Sequence, residues 1–249
     1  MMSGISVNEL YKTYKGSAEP TLKGLTFQFG EGKIAGLLGP NGAGKTTTIS
    51  ILCGIVRGDS GNVMIHGLKQ DAAHRESIKQ LIGIVPQQIA LYPQLSAVEN
   101  LTYFGNLYGF KGKALQQKIM HYLELFGLEK SAHKEIHKYS GGMKRRANII
   151  AAILHDPKLL VLDEPTAGVD VQSRSMILQF LRDYNQQGAS ILYTSHLLEE
   201  AQSLCEEVVI MDEGKMIVQG NPLALIQQHP ACNNLEDVFL HFTGHAVRD

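Results

Sequence analysis

The residues best equipped for chemistry are GPNGAGKTT at 39–47. Gly39, Gly44, Lys45 and Thr46 satisfy G-x-x-x-x-G-K-[ST], directly after the apolar run IAGLL and before the helix-forming run TTTISILCG. That strand–loop–helix setting is the one in which the motif holds phosphate. Glycines let the backbone wrap an anion, successive N–H groups and the helix dipole face the negative charge, Lys45 reaches the outer phosphates and Thr46 offers a hydroxyl to Mg²⁺. The whole stretch, Gly39, Pro40, Asn41, Gly42, Ala43, Gly44, Lys45, Thr46 and Thr47, is therefore a candidate phosphate cradle.

A second group complements the loop. In LLVLDEP at 159–165 a continuous apolar run delivers Asp163 at its carboxyl end, where the ligands of open α/β sheets bind and a carboxylate can order a metal's water shell. Glu164 follows at the position suited to a general base for phosphoryl transfer to water. A third stretch, YSGGMKRRANIIAAIL at 139–154, reads as another helix N-terminus opened by Ser140, Gly141 and Gly142 and prepared for an anion. One chain thus carries two phosphate-type sites.

These residues need elements to place them. Short apolar runs at 5–7, 25–29, 34–38, 63–65, 82–85, 159–162, 191–194, 208–211 and 216–218 read as strands. Several are continuous rather than alternating, which suits parallel strands covered on both faces, and helical stretches between them imply an α/β fold with a parallel sheet. From about 86 to 157 the rhythm changes to successive helices: Ser96 with Glu99 forms a capping box, and 113–126 and 141–154 carry apolar residues at helical spacing. This reads as an inserted helical portion. MDEGKMIVQG at 211–220 reads as a hairpin turning at Gly214, and Asn221-Pro222 as a helix start.

With 23 basic against 24 acidic residues among 249, no broad positive field exists to hold nucleic acid, and none is expected as a partner. No apolar run approaches the roughly 18 residues of a spanning helix, and no leader precedes the first strand, so the chain is expected in the cytoplasm. The three cysteines, Cys53, Cys205 and Cys232, lack C-x-x-C spacing and read as incidental thiols of a reducing compartment.

Taken in order, the 39–46 loop, Gln87 after IGIV, YSGGM, LLVLDEP, AGVD at 167–170 and TSH at 194–196 resemble the nucleotide-binding subunit of ATP-binding cassette transporters. The resemblance covers nearly the whole chain. It implies a P-loop NTPase core with a parallel sheet, an N-terminal antiparallel β portion and an inserted helical subdomain. The core would comprise 1–86 and 158–222, the helical subdomain 87–157 and a C-terminal helical extension 223–249. It also implies ATP and Mg²⁺ as ligands and a head-to-tail pair of copies, in which Ser140, Gly141 and Gly142 of one copy face the γ-phosphate held by the other.

Residue by residue, the resemblance implies catalytic roles for Glu164, His196, Lys45 and Gln87, metal contacts from Thr46, Gln87 and Asp163, a loop at Asp170 that communicates with the opposite site, and adenine stacking on Tyr14. Tyr11 is the rival for stacking, although its alternation with Ile5 and Val7 reads as core. The sequence departs from the usual pattern at Tyr139, Met143 and Ala167, and Met143 cannot donate a hydrogen bond. Lys144, Arg145 and Arg146 read as a solvated helix face. HKEIH at 133–137 has an i,i+4 histidine pair but neither the H-E-x-x-H order nor a third ligand. The resemblance further implies an integral membrane permease as partner, holding the subunit on the inner face of the membrane, with Leu91, Tyr92 and Pro93 as an exposed apolar contact. YSGGM and the closing LEDVFLHFTG look like exporters of the ABC-2 type; an importer subunit or a soluble cassette ATPase acting on nucleic acid or ribosomes are the alternatives.

Overall fold

A computed structural model describes residues 3–244. Strands β1 (Ser3–Lys12), β2 (Leu22–Gly30) and β3 (Ile34–Leu38) lead into helix α1 (Lys45–Leu52). Then come β4 (Ser60–Ile65), β5 (Leu68–Lys69), α2 (Arg75–Leu81) and β6 (Ile82–Val85). Helices α3 (Ala97–Leu107), α4 (Gly112–Leu125) and α5 (Gly141–Ile153) follow, where the only strand-like pairing described is an isolated bridge between Ser96 and Glu135. The chain continues as β7 (Leu159–Asp163), α6 (Val171–Gln186), β8 (Ser190–Ser195), α7 (Leu198–Leu204), β9 (Glu207–Asp212), β10 (Lys215–Gly220), α8 (Pro222–Gln228) and α9 (Leu235–Thr243).

The main sheet has the order β10-β9-β3-β8-β7-β6, parallel from β9 to β6 with β10 antiparallel at the edge. Every residue of β3, β7 and β8 is buried, which is why their runs are apolar without alternation. Successive side chains point to opposite faces. Leu37, Val161, Leu192 and Val209 therefore pack with Ile49 and Leu52 of α1 and with β1, β2 and β4 on one side. Leu38, Leu160, Leu162 and Tyr193 pack with Ile150 and Ile153 of α5 and Ile177 of α6 on the other. Each fully buried Leu or Ile contributes about 1.5–3 kcal/mol.

This strand order decides where chemistry can happen. Leu38 pairs with Ser195, Asp163 with Thr194, and Val85 with Leu162, so the carboxyl ends of β3, β8, β7 and β6 lie side by side. Ligands of open parallel sheets bind outside such ends. The loops at 39–47, 86–90, 164–170 and 196–197 all leave from this one edge.

The second sheet, β2-β1-β4-β5, is antiparallel. Ile5 and Val7 are buried, but the register of β1 shifts between Val7 and Leu10, with Glu9 at a φ of 49°, so Leu10 rather than Tyr11 turns inward. The expectation that Tyr11 belongs to the core is thereby corrected: Tyr11 is exposed and its hydroxyl donates to Glu9 Oε2. β5 and α2 are further elements that the sequence pattern did not reveal.

Helix starts follow their caps. Ser96 Oγ accepts from Glu99 N–H while Glu99 Oε2 accepts from Ser96 N–H, completing the capping box of α3. Asn221 caps α8 with Pro222 in its first turn, and the β9–β10 hairpin turns through Gly214.

Candidate functional site

The loop between β3 and α1 is built around its lysine. Gly44, at φ 100°, caps α1 in a left-handed conformation that favours glycine. Lys45 is buried, and its Nζ donates to the carbonyls of Gly39 (2.7 Å) and Pro40 (3.1 Å). Burial lowers its pKa, opposed by the nearby carboxylates of Glu164 and Asp163. Asn41 and Gly42 form the exposed tip, while Ala43 is buried and its N–H donates to Pro40. Thr47 is buried, with its Oγ1 3.4 Å from the exposed Tyr14 hydroxyl, so of the two stacking candidates Tyr14 lies against the loop.

The carboxylates sit at the end of β7. Asp163 is buried; its Oδ1 accepts from Thr194 Oγ1 at 2.8 Å, and its Oδ2 accepts from Thr46 Oγ1 at 3.3 Å. Glu164 has a φ of 49°, uncommon for a residue with a side chain and worth about 1–3 kcal/mol of strain. Its N–H donates to Thr194 Oγ1 at 3.0 Å. This backbone reversal separates the Glu164 carboxylate from Asp163 and delivers it to two other loops. Gln87 Nε2 donates to Glu164 Oε2 at 2.9 Å, and His196 Nδ1 lies 3.5 Å from the same oxygen. Gln87, Glu164 and His196 thus converge on one atom from three strand ends.

The donor chemistry fits Mg²⁺. Thr46 and Asp163 present oxygen atoms to one point, and Gln87, whose nitrogen is engaged with Glu164, keeps its amide oxygen as acceptor. Among the described residues no cluster of three His, Cys, Asp or Glu could hold a metal, and His137 of HKEIH instead bonds the Pro93 carbonyl.

At α5, Ser140 Oγ accepts from Met143 N–H, leaving Ser140 and Gly141 exposed at the helix tip. Gly142 is buried against α6, where Asp170 caps the helix by accepting from Ser173 N–H at 2.9 Å. Hydrogen bonds from Ser173 hold the Asp170 carboxyl below the usual range. The solvated face expected for Lys144, Arg145 and Arg146 is corrected. Arg145 is buried and donates to the carbonyls of Pro86 (2.9 Å) and Gln87 (2.8 Å); Arg146 is half-buried and bonds Ser173 Oγ; Lys144 is half-buried. Positions 145, 148, 149 and 152 share one helical face, and that face is packed. The apolar trio is corrected too: Leu91 is buried in the helical cluster, whereas Tyr92 and Pro93 are exposed.

Residues 22–167 match the sequence model of the family described as ABC transporter. The chain belongs to the ABC transporter family. One curated ABC relative, the linearmycin resistance ATP-binding protein LnrL of Bacillus subtilis, is 47% identical over 201 residues, 80% of this chain and 64% of that protein. The Nod factor export ATP-binding protein I of Burkholderia lata is 40% identical over 215 residues, 86% of this chain and 70% of its own. Among solved structures, an ATP-binding subunit of an ABC transporter superposes with a TM-score of 0.87 at 27% identity, covering 98% of this chain and all of its own. A dimeric ATP-binding cassette described in a post-hydrolysis state with ADP and Pi gives 0.80 at 25% identity, covering 87% and 98%. The α/β P-loop fold is that of the ABC ATPase.

Three ABC site features escaped the sequence. Thr194 bridges Asp163 and Glu164, and its signal was a hydroxyl facing the neighbouring strand end. Arg145 and Asn148 lie on the packed face of α5, and their helical spacing with Ile149 was the available sign. Glu200 is buried, accepting from Thr166 Oγ1 at 2.7 Å and from the Tyr193 hydroxyl, with Arg174 Nε 3.2 Å from its other oxygen. Nothing in its i,i+4 relation to His196 announced that network.

Proposed function

We propose that this chain is the ATP-hydrolysing subunit of an ABC transporter of the export type, working as a head-to-tail pair with an integral membrane permease. The observation that carries the reading is the convergence of Gln87 and His196 on Glu164 Oε2, beside the Thr46–Asp163 pair and the Lys45 loop. Relatives named for export and for resistance support the direction, and the dimeric ADP- and Pi-bound neighbour supports the pairing. The core at 1–86 and 158–222, the helical subdomain at 87–157 and the extension at 223–249 are the working parts of this reading.

In this mechanism Lys45 exchanges its loop carbonyls for the outer phosphates, while the backbone from Gly39 to Thr47 wraps them and Tyr14 stacks on adenine. Glu164 takes a proton from water as the water oxygen bonds the γ-phosphorus and the bond to the bridging oxygen of ADP breaks. Gln87 and His196 orient Glu164 and the attacking water. Thr46, Asp163 and Gln87 would hold Mg²⁺, which supplies charge neutralisation for the phosphates. The Ser140–Gly142 tip completes the site of the second copy, and Asp170 stands where the two sites would meet. ATP then favours the closed pair over the open one, so that hydrolysis can drive motion.

No described helix is long and apolar enough to cross a membrane. The membrane step of this reading is assigned to the permease partner. The exposed rings of Tyr92 and Tyr103, edge to face at 5.2 Å, and the exposed Leu107 form the proposed docking patch. The deciding experiment is Glu164→Gln: ATP binding persists, copies associate in Mg-ATP by sedimentation, and kcat falls by about 3 kcal/mol of transition-state stabilisation or more. Unchanged turnover, or full turnover by a strictly monomeric preparation, would overturn the reading.

A further inference from the structure

Helix α5 carries two buried polar side chains on one face, and both are spent on the same loop. Arg145 donates through Nη1 to the Pro86 carbonyl at 2.9 Å and through Nη2 to the Gln87 carbonyl at 2.8 Å. Asn148, one turn later, accepts from the Ala90 N–H at 3.2 Å. Three hydrogen bonds therefore tie α5 to the backbone of 86–90 immediately after β6. The Gln87 side chain then continues the line, donating to Glu164 Oε2.

A buried guanidinium with this arrangement is unusual. Arginines buried in proteins are commonly balanced by a carboxylate in contact, because an unpaired buried charge is costly. Here the direct partners are main-chain carbonyls, and the Nε makes no hydrogen bond among the described residues. Burial lowers the guanidinium's pKa, and the field of Asp163 and Glu164 opposes that shift. A planar fork spanning two successive carbonyls also fixes the peptide between them in orientation, which a lysine's single ammonium cannot do.

We propose that Arg145 is a positioning residue for hydrolysis, which holds the backbone at Gln87 so that the Gln87 amide meets Glu164 only when α5 is correctly seated. The same helix is capped by Ser140 and begins with Gly141 and Gly142, a tip that lies about 12 Å or less along the helix from Asn148, and nearer to Arg145, at a rise of about 1.5 Å per residue. A rigid helix of that length passes displacement of its tip to the loop. Engagement of the tip by the second copy's nucleotide is thereby sensed at Glu164. The inference rests on the proposed roles of Gln87 and Glu164.

The test uses the full chain with Arg145→Gln, Arg145→Lys, Asn148→Ala, Gln87→Ala and the double variant Arg145→Gln/Gln87→Ala. Mg-ATP kinetics and amide hydrogen exchange at 87–90 are measured, the latter also without nucleotide. Arg145→Gln is expected to lower kcat about tenfold or more with KM changed less than about threefold, and to speed exchange locally at 87–90. If Arg145 acts through Gln87, the double variant is no more than about twofold slower than Gln87→Ala. A double variant as slow as the product of the two single losses would overturn the proposal, as would wild-type kcat in Arg145→Gln. Should the buried Gln replacement fail to fold, Arg145→Lys and Asn148→Ala carry the same reading: each must loosen 87–90 and lower kcat, and local loosening without loss of kcat refutes it. Absence of hydrolysis in the unaltered protein would strike the proposed function instead.

Discussion

The two glycines of the α5 tip have opposite surroundings, and alanine at each should separate packing from function. At Gly142 an added Cβ would lie 2.3 Å from Ser173 Oγ, 2.8 Å from Ser173 Cβ and 2.7 Å from Asp170 Oδ2. Ser173 is buried and already engaged by Arg146, so it cannot simply turn away. Overpacking of this kind costs about 1–3 kcal/mol, and disturbing the Asp170 cap of α6 about 0.5–2 kcal/mol more. Gly142→Ala should therefore lose about 1.5–5 kcal/mol of stability in urea unfolding. At Gly141 the nearest atom to an added Cβ is the Gly168 carbonyl oxygen at 3.8 Å, ordinary contact, and the residue lies outside the left-handed region. Gly141→Ala should leave stability within about 0.5 kcal/mol. Its methyl nevertheless stands on the exposed tip that must approach a phosphate of the second copy and holds the backbone N–H groups off it, so turnover should fall about hundredfold to thousandfold, as when a phosphate-facing donor is out of place. Coupled ATPase assays on folded protein, read beside the unfolding curves, decide the matter. A Gly141→Ala protein hydrolysing at the unaltered rate would refute the shared-site reasoning, and a Gly142→Ala protein of unaltered stability would refute the packing estimate.

Tyr92→Glu should leave basal ATPase intact and abolish stimulation by the membrane partner; loss of basal hydrolysis would reject the docking patch. His155 is buried, stacks on Tyr108 at 3.7 Å, and bonds the Ile82 carbonyl through Nε2. Burial lowers its pKa below the value of about 6.5 in the unfolded chain, so the unfolded state binds the proton first as pH falls. Its contribution to stability is thus complete above about pH 6.5 and declines below it until the folded value is passed. The fall in melting temperature between about pH 7.5 and about pH 5.5 should be smaller in His155→Gln, whose amide can still donate to Ile82, and an equal fall in both proteins would refute this.

Much of this fold could be read along the chain because its signals are local. Apolar runs without alternation marked β3, β6 and β7, and caps at Ser96 and Asn221 marked α3 and α8 where they begin. Tyr11 misled because a register shift reverses the alternation, and that shift depends on how β1 pairs with β2 and β4. Leu91 misled because an apolar residue in a polar loop looks the same whether it faces solvent or the helical cluster.

For the site, residue order and type selected the loop around Lys45, the pair Asp163 and Glu164 and the Ser140–Gly142 tip, each a short motif whose chemistry is local, whereas Gln87 and His196 were named through the family resemblance. What the tertiary structure alone decided is their convergence. The adjacency of β3, β8, β7 and β6 sets four distant loops on one edge, the left-handed turn at Glu164 aims its carboxylate at Gln87 and His196, and the packing of α5 turns Arg145 from a surface charge into a buried tether. Contacts between residues tens of positions apart depend on which faces pack together, and a one-dimensional pattern states only which face is apolar.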